Sequence, residues 1–324
     1  MLVAGGAGYI GSHMVRLLRH EKEPHLVLDN FEEGHRPAIG DSPFVEADLR
    51  DPAAVQAVFK AHPDIDIVID FAAYIAVGES VREPAKYWRN NFVGALNLTD
   101  AMLAANVQSI VFSSTAAVYG EPVRIPIDEE HPKAPTSCYG ETKLAVEHLL
   151  EHLDTAQGIK SVRLRYFNAA GADPSGEIGE AHRVEEHLIP LAIAAARGAR
   201  PPLKVFGTDW PTPDGTCLRD YIHVNDLVSA HLLAVRHLRN GGESRAYNLG
   251  TGTGHSVKEV LDVVGAAVGT PVPFEEAPRR PGDPARLIAS AAAIMRDWGW
   301  VPEHPSLDEI AKDAWRWHRA QAYG

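Results

Sequence analysis

Three apolar residues, Leu2-Val3-Ala4, run straight into Gly5-Gly6-Ala7-Gly8-Tyr9-Ile10-Gly11, and a helical pattern over 12–20 follows at once. Gly5, Gly8 and Gly11 stand three apart, so the turn between strand and helix lacks side chains. Backbone N–H groups at the start of the helix are then open to a pyrophosphate. Asp29 ends the next apolar run. A carboxylate there accepts from the ribose hydroxyls of adenosine and repels a 2′-phosphate, which points to NAD rather than NADP.

The same alternation continues down the chain. Runs at 25–29, 65–71, 109–113 and 160–166 read as buried strands, and 52–61, 84–105 and 137–153 read as helices with apolar residues near i, i+3 and i+4. Strands alternating with helices build βαβ units. The expected fold class is therefore α/β: a doubly wound parallel sheet of Rossmann type, with a second, smaller α/β lobe for substrate. After Asn168 the texture changes. AAGADPSGEIGEAHR is rich in glycine, proline and charge, and insertions of the same kind at 198–216 and 278–284 suggest a loop-rich lobe near the carboxyl ends of the strands. The expected division is 1–167 for the NAD-binding domain and 168–324 mainly for the substrate lobe. Patterns such as 223–238 are expected to pack back on the first domain.

Composition excludes several classes. The 324 residues include 31 Lys or Arg against 43 Asp or Glu, a net charge of −12, so no nucleic-acid partner is expected. An apolar content of 45% supports full cores and excludes disorder. The most apolar stretch, LIPLAIAAA at 188–196, contains Pro190 and falls far short of the roughly 20 residues that span a bilayer, so no membrane partner is expected. The N-terminus has no basic region and belongs to the glycine motif, so it does not read as a removable signal. Cys138 and Cys217 make no disulfide framework, and no C-x-x-C pairing suggests a metal. A cytoplasmic setting fits, with no metal.

Tyr139 and Lys143 lie four apart in SCYGETKLAVEHLL, a helical stretch after Pro135. Positions i and i+4 share a helix face, so the ammonium can stand beside the phenol and favour its ionised form, which turns a weak base into a usable proton acceptor. The strand 109–113 leads into Ser113-Ser114-Thr115, and the Thr115 hydroxyl could hold the substrate oxygen whose proton Tyr139 takes.

The chain resembles the extended short-chain dehydrogenase/reductase superfamily and, within it, the UDP-glucose 4-epimerases. The blocks that carry the resemblance run nearly end to end: GGAGYIGSH at 5, LDN at 28, FAA at 71, NN at 90, FSS at 112, AVYGEP at 117, YGETK at 139, LRYFNAAGADPSGEIGE at 164, RDYIHVNDL at 219, YNLGTG at 247 and RRPGDPA at 279. The resemblance implies interconversion of UDP-glucose and UDP-galactose by NAD-mediated oxidation and re-reduction at sugar carbon 4. It places Gly5, Gly8, Tyr9, Ile10, Gly11, Asp29, Asn30, Asp48, Leu49, Phe71, Ala72, Asn90, Tyr139, Lys143 and Tyr166 around NAD, with Thr115 and Tyr139 at the reacting sugar. Asn168, His187, Leu188, Phe206, Arg219, Arg280, Asp283 and Leu287 are implied for the UDP-sugar.

Guanidinium forks suit phosphate oxygens, which agrees with Arg219, Arg279 and Arg280 being committed to loops. Three positions depart from the pattern: Ile75 stands where some members have lysine, His187 where others have asparagine, and Thr115 where many have serine. Sugar-nucleotide dehydratases share the scaffold but resemble one another in an Asp-Glu pair after the threonine, and here those residues are Ala116 and Ala117. Decarboxylases usually carry a glutamate in that region, and non-catalytic members typically lack the tyrosine or the lysine. The resemblance further implies a homodimer through 84–105 and 137–153. It makes Leu287 the residue facing the 2-substituent of the sugar.

Overall fold

The β-branched runs become strands of one sheet. In the computed structural model, which describes residues 1–280, 283–320 and 323, seven strands lie in the order Phe44–Glu46, Leu26–Asp29, Leu2–Ala4, Val68–Asp70, Ser109–Thr115, Lys160–Tyr166 and Arg245–Leu249. The first five pair in parallel, with Leu2 opposite Leu26 on one side and Val68 on the other. The chain thus winds outward from Leu2–Ala4 to one edge, then returns and builds the other half. In such sheets the reversal point opens a crevice at the carboxyl ends of the strands.

Every residue of Leu2–Ala4, Leu26–Asp29 and Val68–Asp70 is buried, as expected of parallel strands covered on both faces. Helices Pro52–Ala61, Gly94–Ala104 and Cys138–Gln157 pack Val55, Phe59, Leu98, Met102, Val146 and Leu150 against Leu2, Leu28, Ile110 and Phe112. Two of these helices are capped at their start by a side chain. Asp51 accepts from the N–H groups of Ala53 and Ala54 ahead of Pro52, and the Ser137 hydroxyl accepts from Gly140 N–H.

Element boundaries differ from the sequence reading in several places, three of which have a bearing on the site. The run 65–71 forms a strand only over Val68–Asp70, because Ile65 N–H is spent on a turn to the His62 carbonyl. The first helix starts at Tyr9. The single helix expected at 84–105 is Pro84–Tyr87, a π-helical turn Trp88–Val93, and Gly94–Ala104.

The chain divides into two units: Met1–Gly120 with Lys133–Arg165 and Val228–Tyr247, and Glu121–Pro132 with Tyr166–Leu227 and Asn248–Gly324. Set beside the division expected at 167/168, the second unit starts at Tyr166 and also takes in 121–132, while 228–247 goes to the first. In the second unit, Leu218–His223 pairs antiparallel with Gly254–Ser256 and parallel with Arg286–Leu287 and Asn168–Ala170. The stretch 198–216, read as an insertion, contains the strand Leu203–Phe206, which pairs in parallel with Phe274–Ala277. Helices Leu188–Ala196, Val257–Val268 and Leu307–Ala320 form this unit's core through Ile189, Ile193, Val260, Leu261, Val264 and Ile310. Among the described residues no helix is long and apolar enough to cross a membrane.

Candidate active site

The glycine loop sits at the reversal point of the first unit's sheet. Gly5 has a left-handed φ of +71°, and a Cβ on it would lie 2.7 Å from Ala72 N. A Cβ on Gly11 would come within 2.1 Å of the Gly5 carbonyl oxygen, so these two glycines are required by chain packing. Gly8 is different: a Cβ there would meet only the Gly5 oxygen at 3.5 Å. No neighbour among the described residues demands glycine at that position, which fits a ligand closely approached by the backbone there. The first intrahelical bond runs from Ser12 N–H to the Gly8 carbonyl at 2.9 Å. The N–H groups of Ile10 and Gly11 therefore have no acceptor within the helix and suit a diphosphate.

Asp29 extends the strand next to this loop and is buried. Its Oδ2 accepts from Ala7 N–H at 2.9 Å and its Oδ1 from Phe31 N–H at 2.8 Å. Burial pushes its carboxyl above the ordinary range, opposed by those two backbone bonds. Asp29, Asn30, Asp48, Leu49, Phe71, Ala72, Asn90, Gly5 and Gly8 line a single cleft, so most of the cofactor residues expected from the sequence come together. A network finishes one end of it. Arg50 Nε donates to Asp48 Oδ1 at 2.9 Å, Asn30 Nδ2 donates to Asp48 Oδ2 at 3.0 Å, and Tyr74 Oη donates to Glu32 Oε1 at 2.6 Å. The Arg50 bonds hold the Asp48 carboxyl down to about 2. Arg50, Glu32 and Tyr74 were not singled out from the sequence, since each is an ordinary polar residue until the fold brings them together.

Asn90 belongs to the π-helical turn and donates to Asn91 Oδ1 at 3.1 Å. Asn91 is buried: its Oδ1 accepts from Tyr74 N–H at 2.9 Å, and its Nδ2 donates to the Tyr74 carbonyl at 3.0 Å. The extra residue of a π turn commonly marks a functional site.

Tyr139, Lys143 and Thr115 are all buried in the first unit. Tyr139, Lys143 and Glu147 follow at four-residue spacing on one face of Cys138–Gln157, and each meets the strand Ser109–Thr115. The Thr115 hydroxyl acts on the Tyr139 phenol, Lys143 Nζ donates to the Ser113 carbonyl at 2.9 Å, and Ser114 Oγ donates to Glu147 Oε1 at 2.5 Å. Burial pushes the Tyr139 phenol up to about 12, with the Thr115 hydroxyl opposing it. Burial pulls Lys143 down to about 8, against the pull of Asp70. This corrects the expectation of a phenol ionised by Lys143: in the chain alone the ammonium is turned to a strand carbonyl and to Asp70, and burial dominates the phenol. Asp70, itself pushed up to about 6 by burial, is a buried acid that sequence reasoning missed. Its only signal was its place at the end of the VID run.

The second unit holds the residues assigned to the UDP-sugar, and Tyr166, the last residue of Lys160–Tyr166. Asn168 Nδ2 donates to the Asp220 carbonyl at 2.9 Å. Arg219 donates to the Leu218 and Pro284 carbonyls at 2.9 and 3.0 Å and stands 3.7 Å from Asp283 Oδ1. Leu287 is the register partner of Arg219. The Arg280 guanidinium stacks on Phe206, 3.9 Å from the ring centroid, so two residues far apart in sequence form one cation–π pair. Arg279 is committed elsewhere, to Asp209 at 2.8 Å and to the Trp210 ring. His187 precedes the helix that Leu188 opens, and its Nδ1 meets Glu180 Oε1.

The profile of the NAD dependent epimerase/dehydratase family matches residues 1–250. A UDP-glucose 4-epimerase of Halalkalibacterium halodurans is 51% identical over 324 residues, covering 100% of this chain and 97% of that protein. The crystal structure of UDP-glucose 4-epimerase from Brucella ovis in complex with NAD superposes with a TM-score of 0.94 at 46% identity, covering 97% of this chain and 96% of that one. The UDP-Glc/GlcNAc 4-epimerase of Campylobacter jejuni superposes with a TM-score of 0.87 at 41% identity, over 98% of each chain.

Proposed function

The chain belongs to the NAD dependent epimerase/dehydratase family, and on that premise we propose that it is an NAD-dependent UDP-glucose 4-epimerase, interconverting UDP-glucose and UDP-galactose. The observation that carries the reading is the buried Tyr139–Thr115 pair, held one helical turn from Lys143, in the unit whose glycine loop and Asp29 suit a dinucleotide. When bound, NAD would supply the acceptor and donor of hydride. The chain's own work is on the proton and the grip. Tyr139 Oη takes the proton of the sugar 4-hydroxyl and returns it, Thr115 orients that oxygen, and the Lys143–Asp70 pair sets the charge behind them. Asp29 holds the adenosine ribose, and the N–H groups of Ile10 and Gly11 hold the diphosphate of the cofactor. In the second unit Asn168, Phe206, Arg219 and Arg280 grip the nucleotide of the substrate. Dehydration is disfavoured because Ala116 and Ala117, in the short helix after Thr115, bring no acid or base.

A coupled assay with UDP-galactose tests the activity. Because the cofactor is regenerated in every cycle, the purified protein is expected to carry NAD, partly reduced, and to need little or none added. Denaturing it and analysing the released nucleotide checks this. Release of NADP alone, or activity that depends on stoichiometric added cofactor, would count against Asp29 as the ribose ligand.

The reading places the enzyme in galactose metabolism and in the cytoplasm, where the free thiols of Cys138 and Cys217 stay reduced. It is a homodimer in this proposal. Leu98, Ala101 and Met102 go into the core, but Val81, Trp88 and Val93 remain exposed and Leu96 and Leu149 half-buried, which leaves an apolar surface for a second copy. Sedimentation at micromolar concentration is expected to give twice the chain mass, and a monomer rejects the dimer.

For the sugar, Leu287 is half-buried beside Arg219 and lacks the ring of a tyrosine. We expect efficient conversion of UDP-glucose and UDP-galactose and slower conversion of UDP-N-acetylglucosamine. Leu287→Tyr should then abolish only the acetylated activity, because an overfilled pocket penalises the ligand that needs the space. Equal loss of both activities would remove Leu287 as the gate.

A further inference from the structure

In the second unit an eight-residue irregular stretch, 180–187, runs into the helix Leu188–Ala196 and carries the pattern Glu-x-His-x-x-Glu-x-His. We propose that Glu180, His182, Glu185 and His187 bind one divalent transition-metal cation of the zinc type. One ligand atom from each of the four lies within 4.8 Å of all the others. His182 Nδ1 stands 3.2 Å from Glu180 Oε1 and 3.5 Å from Glu185 Oε2; His187 Nδ1 meets Glu180 Oε1 and stands 3.7 Å from Glu185 Oε1. A tetrahedral zinc with bonds of about 2.0–2.2 Å sets its ligands roughly 3.3–3.6 Å apart, so small side-chain rotations suffice.

The donor chemistry selects the ion. Two imidazole nitrogens with two carboxylates suit zinc or cobalt, whereas magnesium and calcium call for oxygen donors. Imidazoles bind metals in the neutral form, so the four groups together carry −2, which one divalent cation balances.

The stretch is also held in place by groups outside the cluster. The Glu180 carbonyl accepts from Trp317 Nε1 at 2.9 Å, and Gly179 lies so close to the Trp317 ring that a Cβ would come within 2.4 Å of it. Glu185 Oε1 accepts from the N–H groups of Glu186 and His187, both at 2.9 Å, which leaves Oε2 for the cluster. Glu180 is buried while the His187 side chain is 46% exposed, so the site has a floor and an entrance. A third imidazole, His318, feels the charges of Glu180 and Glu185, and its Nε2 is buried with no hydrogen-bond partner among the described residues.

The site is tested on the full, untagged, NAD-bearing protein after chelator treatment, by titrating Co²⁺ and then Zn²⁺. The expected result is one Co²⁺ per chain with the intense visible absorption of four-coordinate cobalt, displaced by one equivalent of Zn²⁺. Glu180→Gln and, separately, the half-buried His182→Asn should each weaken binding at least about tenfold. Circular dichroism of the metal-free variants reports folding, and the His182 variant serves if the Glu180 variant does not fold. Failure of the wild type to take up cobalt, pale or non-stoichiometric binding, or wild-type affinity in a folded variant overturns the proposal. None of these readouts depends on turnover.

Discussion

Turnover of UDP-galactose by a Tyr139→Phe variant is expected to fall by ~10²- to 10⁴-fold, the range in which a positioned acid–base group contributes, with bound NAD retained. The ring packs with Tyr74 and Tyr87 in a small aromatic cluster, so deleting the oxygen leaves that packing in place and removes only the proton carrier. The direction of pH dependence follows from the same site. Burial pushes the phenol up to about 12, so the ionised fraction is small near neutrality and grows as pH rises. Wild-type turnover should therefore climb from neutral to alkaline pH. Lys143→Ala should weaken NAD binding and move the profile further to the alkaline side, since it removes the cation that faces Asp70. Steady-state rates across pH and the nucleotide content of each variant check both statements. Near-normal turnover in Tyr139→Phe takes that residue out of its role.

Arg165→Leu should destabilise the protein by about 3–5 kcal/mol, the cost of leaving a buried charge without its partner. Arg165 and Glu147 are both buried, and Glu147 has no exposed surface. The guanidinium grips the carboxylate as a fork, Nε to Oε1 at 2.9 Å and Nη2 to Oε2 at 2.5 Å, and Arg165 Nη1 also donates to Tyr119 Oη at 2.8 Å. Replacing both partners with apolar residues of similar volume, Glu147→Leu with Arg165→Met, should recover most of the loss, because nothing charged then stays behind. Urea unfolding of the single and double variants measures this. A loss below about 1 kcal/mol in the single variant would mean that water reaches Glu147.

What could be read in advance was whatever local spacing encodes. The glycine loop, Asp29 at a strand end and the Tyr139–Lys143 face lie within short windows, so the sheet class, the cleft beside the glycine loop and the helix that carries Tyr139 and Lys143 were legible. The second unit's site residues came from block resemblance, not from periodicity, because its strands are short and its loops irregular. Three things escaped for identifiable reasons. The π turn at Trp88–Val93 adds a residue without changing the apolar pattern that signals helix. Asp70, Glu147 and Arg165 acquire meaning only from partners far away in sequence, among them Ser114, Tyr119 and Lys143. The orientation of Lys143 depends on the Ser113 carbonyl, and helical spacing fixes a face but not where a long side chain ends.

The threading of the chain also bears on its synthesis. The first unit is assembled from three separate lengths and includes 228–247, while the seventh strand of its sheet, Arg245–Leu249, comes far behind the sixth. A nascent chain released as far as Arg165 thus holds the glycine loop, Thr115, Tyr139 and Lys143 but leaves the strand Lys160–Tyr166 with an open edge. That edge must stay unpaired while more than a fifth of the protein is still being made, and an open strand edge invites pairing with other chains. Ribosome-bound fragments ending before residue 245 should accordingly need a chaperone, and those extended past 249 by the length of the exit tunnel should not.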